Sequence, residues 1–194
     1  MPTTPTDRKR LFCQLLKSTK RKNVDAVITE IERLGFFDAL GSSTEHNAIP
    51  GGLLIHSLNV YHVATKIAQD MHQLQPDFSI LEDSLIIVSL LHDICKAPRY
   101  LNAKCIDGKY QKNYSHLPVG HGEKSVIMLL RLGFELTDDE IIAIRWHMAP
   151  WQLTLTNTEM VEDFRHAELT CPLLPILQSA DRLAAKIMEV KPKL

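Results

Sequence analysis

The stretch Ile80-Leu81-Glu82-Asp83-Ser84-Leu85-Ile86-Ile87-Val88-Ser89-Leu90-Leu91-His92-Asp93-Ile94-Cys95 decides the fold. It is nearly all apolar, and its length exceeds that of a typical buried strand. It therefore reads as the central helix of an all-α protein, ended by Pro98. On that helix His92 follows Leu81, Leu85 and Val88 along the core-facing stripe, so its ring is expected to point inward. Lys96, four residues after His92, is expected on the same face one turn further along.

Helical patterning extends on both sides of this stretch. Upstream, Leu11, Phe12, Leu15 and Leu16 form an apolar stripe between the charges Arg8, Lys9, Arg10, Lys17, Lys20, Arg21 and Lys22. That pattern describes a terminal helix with a solvated basic face rather than an RNA-binding arm. A second helix carries Val24, Val27, Ile28, Ile31 and Leu34 and stops at Gly35. The Gly41–Gly52 stretch is a loop leading into a helix from Leu53 to about Met71, where His56 shares a stripe with Val60, Val63 and Ile67.

Downstream, Gly120-His121-Gly122 precedes a helix from Glu123 to Leu132. Thr137-Asp138-Asp139-Glu140 is a capping box opening a helix that carries Ile141, Ile144 and His147. The last helix runs from about Leu173 to Val190 behind Thr170 and Pro172, and places Asp181 one turn from Leu177 and Ala184. A short hairpin is predicted around Ile106-Asp107-Gly108-Lys109-Tyr110. The loops 41–50, 97–118 and 149–168 are left to shape a pocket. Phe36, Phe37 and Leu40 would add an apolar surface if the loop after them leaves it uncovered.

With 194 residues and 45% hydrophobic composition, the chain can bury one substantial core. We read residues 1–40 as N-terminal helices packed on a helical domain spanning 41–194, together one globular unit. The net charge of −1 gives no overall attraction to nucleic acid or an anionic membrane, so any phosphate affinity is local. The longest apolar run is far too short to cross a bilayer. Cys13, Cys95, Cys105 and Cys171 are widely spaced with no Cys-x-x-Cys pair, and the N-terminus has no apolar leader, which together suggest a reduced, cytoplasmic protein.

Five short stretches each deliver a metal-binding side chain: His56, the pair His92 and Asp93, His121, His147 and Asp181. A buried imidazole or carboxylate is costly unless paired or metal-bound, and here such groups recur at the ends or core sides of separate helices. Helical bundles build metal sites in this way. Lone histidines such as His62 and His166 read instead as structural. Mixed imidazole and carboxylate donors suit one or two ions of Mn, Fe, Zn, Co or Ni better than calcium, and no thiolate cluster points to a structural zinc.

Three stretches carry a family resemblance: Gly51-Gly52-Leu53-Leu54-Ile55-His56-Ser57-Leu58, Leu90-Leu91-His92-Asp93-Ile94-Cys95-Lys96 and Ser179-Ala180-Asp181-Arg182-Leu183-Ala184. In that order they resemble the HD superfamily of metal-dependent phosphohydrolases, over most of 49–188. The resemblance implies an all-α, single-domain helical bundle. It also implies His56, His92, Asp93 and Asp181 on a first metal, with Asp93 bridging to a second held by His121 and His147. Two ions sharing a carboxylate would clamp a phosphate and supply a hydroxide nucleophile.

Within that scheme the catalytic residues are Asp93, Lys96 and His121, and the substrate-binding residues are Lys96, Lys124, Arg145 and His46. Trp146, Trp151 and Tyr114 are candidates to stack on a base. The expected substrate is a phosphate ester of a nucleotide or short oligonucleotide, with no membrane partner. Cys95 stands where relatives commonly have Gly, Ile55 replaces a frequent acidic residue, and one histidine stands at 147 where exoribonuclease relatives have two. No oligonucleotide-binding barrel precedes the helices, which argues against processive RNA degradation. Two rival readings remain open on sequence: a catalytically silent nucleotide- or metal-binding module, and a di-iron oxygenase on the same ligand set.

Overall fold

Thr4 opens the first helix, α1 (Pro5–Ser18), because its hydroxyl accepts from the Asp7 amide at 3.1 Å and Pro5 fills a position where no amide is needed. This computed structural model describes residues 4–42, 47–101, 104–106, 109–111, 113, 117–149 and 158–190, without the side chains of Cys105 and Lys109. Phe12 and Leu16 are buried between the basic residues of α1. The charges themselves meet carboxylates of the same chain: Lys9 with Glu32 at 2.5 Å, Arg10 with Asp7 at 2.6 Å, Lys17 with Asp25 at 2.8 Å and Lys22 with Glu135 at 3.4 Å.

Two helices stop by one device. After α2 (Val24–Arg33), Gly35 adopts φ 74°, the Phe36 amide donates to the Ile31 carbonyl and the Gly35 amide to Glu32, both at 2.9 Å. After α6 (His121–Arg131), Gly133 at φ 66° repeats the arrangement, with Phe134 donating to Leu129 at 3.2 Å and Gly133 to Leu130 at 3.0 Å. Each closure satisfies two terminal carbonyls and turns a phenylalanine into the core. Phe36 packs 5.1 Å from Phe12 and 5.7 Å from Phe37, ring centre to ring centre. Phe36, Phe37 and Leu40 are thus buried, and the apolar surface they would have formed is covered.

α3 (Gly52–Leu74) follows the Gly51-Gly52 turn, and its first half is the buried half, from Leu53 through Val60 with Ile55 half-exposed. α4 (Glu82–Leu91) is the central helix, with every residue from Ser84 to Leu91 buried, as its nearly all-apolar run requires. Leu81 caps α4 and is exposed, so the inward stripe starts only at Leu85.

The helix read through Cys95 ends sooner. His92 is its C-cap, Asp93 leaves helical geometry at φ −107° and ψ 16°, and a 3-10 turn (Ile94–Lys96) leads into the short α5 (Ala97–Tyr100). Pro98 does not terminate anything. It sits in the first turn of α5, where a missing amide is harmless.

Two-residue strands β1 (Cys105–Ile106) and β2 (Lys109–Tyr110) pair antiparallel, Cys105 opposite Tyr110, where the hairpin was expected. α7 (Asp138–Trp146) opens with the full capping box of Thr137 and Glu140. α8 (Thr158–Thr170) occupies part of the stretch read as a 149–168 loop, held by buried Phe164 and Ala167. Its apolar stripe is two residues wide, too thin to stand out in sequence. Thr170 closes α8 rather than opening α9 (Leu173–Leu183), whose N-cap is Pro172. A π-helical turn (Ala184–Met188) then replaces the α-helix expected through Val190.

α3 packs along α4 and α9, α6 lies on α7, and α7 rests against α9, while α1 covers α3 and α4. The fold is all-α, and among the described residues no helix is long and apolar enough to cross a membrane.

One polar knot crosses this bundle. Buried Glu140 receives Arg21 Nη2 at 2.8 Å, the Ser84 hydroxyl at 2.7 Å and the Thr137 amide at 2.9 Å, tying the turn after α1 to α4 and α7. A buried carboxylate stripped of its cation is expensive. Arg21→Ala is therefore expected to lower the unfolding free energy by about 3 kcal/mol in urea titration, whereas Lys22→Ala, at an exposed pair, changes it by less than about 1 kcal/mol.

Candidate metal centre

Helix ends place the inward ligands. His92 and His147 are the C-caps of α4 and α7, and in both the Nδ1–H donates to the carbonyl three residues back, Ser89 at 3.0 Å and Ile144 at 2.7 Å. That bond satisfies a carbonyl orphaned by the helix end and fixes the tautomer, so Nε2 of each ring faces inward. His121 is the first residue of α6. The neighbouring Gly122 lets this helix start touch the end of α7: a Cβ there would sit 2.3 Å from the Arg145 carbonyl oxygen. Only a residue without a side chain allows that approach, and it brings the His121 and His147 rings to 5.3 Å.

The four rings surround one carboxylate. Nε2 of His56, His92 and His147 lies 3.6, 3.5 and 3.7 Å from Asp93 oxygens, and His121 Nε2 makes a short contact to Asp93 Oδ1. Asp181, on α9, comes within 3.1 Å of His56 Nε2. His56, His92, Asp93 and His147 are fully or almost fully buried, while the side chains of His121 and Asp181 are 15% and 18% exposed. Nε2 of His92 and of His147 has no hydrogen-bond partner among the described residues. Two donor groups have all their ligand atoms within 4.8 Å of one another: His56 with His92 and Asp181, and His92 with Asp93 and His147.

Lys96 reaches this centre by a different route from the one its spacing suggested. The helix breaks at Asp93, so Lys96 is not one turn along the His92 face; it folds back from the 3-10 turn and pairs with Asp93 Oδ2 at 2.5 Å. Burial opposes the charge on Asp93, yet Lys96 foremost, then His92 and His121, hold its carboxyl well below the usual range. Asp181 is likewise held low against burial, chiefly by His56. Burial also opposes the charge on His56, but Asp181 and Glu189 outweigh it and raise that ring to about 9. Burial lowers His121 despite its contact with Asp93.

Of the remaining expected residues, Lys124 lies half-buried on α6 one turn from His121. Arg145 pairs with Glu123 at 2.7 Å and stacks 3.9 Å from the centre of the Trp146 ring, which itself packs on Phe164 in the core. His46, Tyr114 and Trp151 lie outside the described residues. His62 and His166 are exposed rather than part of the core.

Two contacts were missed from sequence. Cys95 Sγ lies 3.1 Å from His121 Nδ1, and burial with the nearby Asp93 pushes its thiol up to about 11. Glu189, just past the π turn, takes the Nδ1 side of His56 at 3.2 Å and Asn59 Nδ2 at 3.0 Å. Neither carries a motif signal, since each depends on a turn that periodicity does not reveal.

The family model for the HD domain matches residues 53–186, from the first turn of α3 into the π turn, and so includes all six candidate ligands. No curated protein and no solved structure matches the chain. HD domains bind divalent metals and typify metal-dependent phosphohydrolases, a description that the clustered imidazoles and carboxylates fit. The order of His56, His92-Asp93 and Asp181 along the sequence, their convergence in the fold and the family match agree: the chain belongs to the HD domain family.

Proposed function

We propose that the protein is a metal-dependent phosphohydrolase or phosphodiesterase acting on a nucleotide or short oligonucleotide. One observation carries the reading: four imidazole nitrogens converge on a single buried carboxylate, with a second carboxylate at the edge. Buried Nε2 atoms of His92 and His147 that lack a hydrogen-bond partner among the described residues are costly unless something accepts their lone pairs, and a divalent cation does so.

The donors fit one or two ions of the Mn, Fe, Co, Ni or Zn type. His56, His92 and Asp181 would hold one, and Asp93 and His147 the other, with His121 as a further nitrogen donor beside Asp93. Such an ion supplies Lewis acidity and a water acidified toward neutral pH. Asp93, kept ionised, fixes the centre. Lys96, whose ammonium Asp93 stabilises against burial, holds a substrate phosphate, and Lys124 adds charge one turn beyond His121. His121, with more solvent access than the other three rings, is kept neutral by burial, which leaves an Nε2 lone pair for an ion beside Asp93.

The test is mass spectrometry of products after Mn²⁺-loaded protein meets nucleoside mono- and triphosphates, cyclic nucleotides and short oligonucleotides. Asp93→Ala is expected to lose both metal and turnover while keeping its helical circular dichroism. Lys96→Ala should keep metal but lose about 10²–10³-fold in kcat/KM, the scale of removing one charge-stabilising donor. Turnover by metal-depleted Asp93→Ala would refute the reading. Metal bound without any product would turn it toward a binding module.

Metal should also change the response to pH. A ring raised from 6.5 to about 9 on folding stabilises the metal-free protein below pH 6.5, and that contribution fades as pH rises through 9. An ion takes the place of the proton on His56. The Tm of metal-free protein is thus expected to fall between pH 6.5 and 9, and the Tm gain from added Mn²⁺ to grow over the same window, both readable by calorimetry.

A further inference from the structure

The four rings at the centre are steadied in unequal ways. His92 and His147 give their Nδ1–H to main-chain carbonyls of their own helices, and His121 faces a thiol that stays protonated. Among the described residues, His56 alone of the four has a carboxylate on its Nδ1 side. Glu189 Oε1 and Oε2 are both 3.2 Å from that nitrogen, and its side chain is 1% exposed. Asn59, one turn along α3 from His56, donates to the same carboxylate at 3.0 Å. Glu189 reaches this position because the chain widens into the π turn Ala184–Met188 after α9, with the Glu189 amide closing it on the Ala184 carbonyl at 3.1 Å. Asp181, on the preceding helix, faces the opposite nitrogen of the same ring. One imidazole thus lies between two carboxylates, one on each nitrogen.

Resting on the proposed metal-dependent reading, we propose that Glu189 is a positioning residue that orients His56 as a metal ligand and couples metal binding to the docking of the 184–190 segment on α3. A carboxylate accepting Nδ1–H commits the proton to that side, directs the Nε2 lone pair at the centre and makes the ring a stronger donor than a carbonyl partner would. The coupling runs both ways: an ion on Nε2 secures the proton on Nδ1 that holds Glu189, and a docked Glu189 favours the ion. Glu189 lies three residues past the stretch matched by the family model.

The experiment compares the full-length protein with Glu189→Gln and Glu189→Asp, using Co²⁺ titration followed by visible absorption and hydrogen exchange of 184–190 with and without Mn²⁺. Glu189→Gln keeps the shape and an acceptor oxygen but removes the charge. It is expected to bind Co²⁺ about 10- to 100-fold more weakly with an altered ligand-field spectrum. Glu189→Asp is expected to recover part of that loss. Added Mn²⁺ should slow exchange at 184–190 in the unmodified protein and much less in Glu189→Gln. Unchanged Co²⁺ affinity and spectrum in Glu189→Gln, whether or not its Tm falls, would overturn the inference and leave the phosphohydrolase reading standing. Failure of the unmodified protein to bind Co²⁺ or Mn²⁺ would instead overturn the reading on which the inference rests.

Discussion

Everything near the centre of this molecule is arranged about the carboxylate of Asp93. A charge buried among apolar helices has a desolvation cost that only close partners offset. Asp93 has one full cation, Lys96 at 2.5 Å, and four imidazoles at or within 3.7 Å. The imidazoles come from α3, the end of α4, the start of α6 and the end of α7, so the carboxylate makes four helices agree on one point. Holding them there without an ion leaves buried ring nitrogens at His92 and His147 with no hydrogen-bond partner among the described residues. Such groups are rare in native proteins, and a bound ion is one arrangement that satisfies them.

The sequence was most legible where chemistry and periodicity coincide. His56 and Asp181 stand on strong helical stripes, His147 ends a helix announced by a complete capping box, and the expected ligands do converge. Reading failed where a helix ends for reasons outside its own apolar pattern. Nothing in Leu90-Leu91-His92-Asp93-Ile94 signals that His92 will take a backbone carbonyl and stop α4, so Lys96 was assigned to a face that does not exist. The π turn after α9 was equally hidden, because Ala184 to Met188 suits an ordinary helix, and Glu189 was hidden with it. α8 was missed because two buried residues make a weak stripe.

The recurrence of Leu-Gly-Phe shows how the frame is set before the site is built. Leu34-Gly35-Phe36 and Leu132-Gly133-Phe134 end α2 and α6 with the same pair of hydrogen bonds and bury the same aromatic residue. These stops fix where the following loops begin. The Glu140 knot then joins the turn after α1 to α4 and α7, the two helices that carry His92 and His147 at their ends. A polar cluster away from the candidate metal centre therefore helps to hold the distance between two of its histidines.

The anchoring of the rings also bears on how such a protein can change over generations. His92 and His147 are oriented by main-chain oxygens, and no exchange of side chain at 89 or 144 removes those acceptors. Their geometry is heritable with the helix itself and insulated from drift. His56 is oriented by side chains, and His121 faces a cysteine, so both can be retuned by single replacements elsewhere in the chain. Half of the imidazole set is thus fixed by the backbone, and in the other half a single side-chain replacement can change how a ring presents its Nε2.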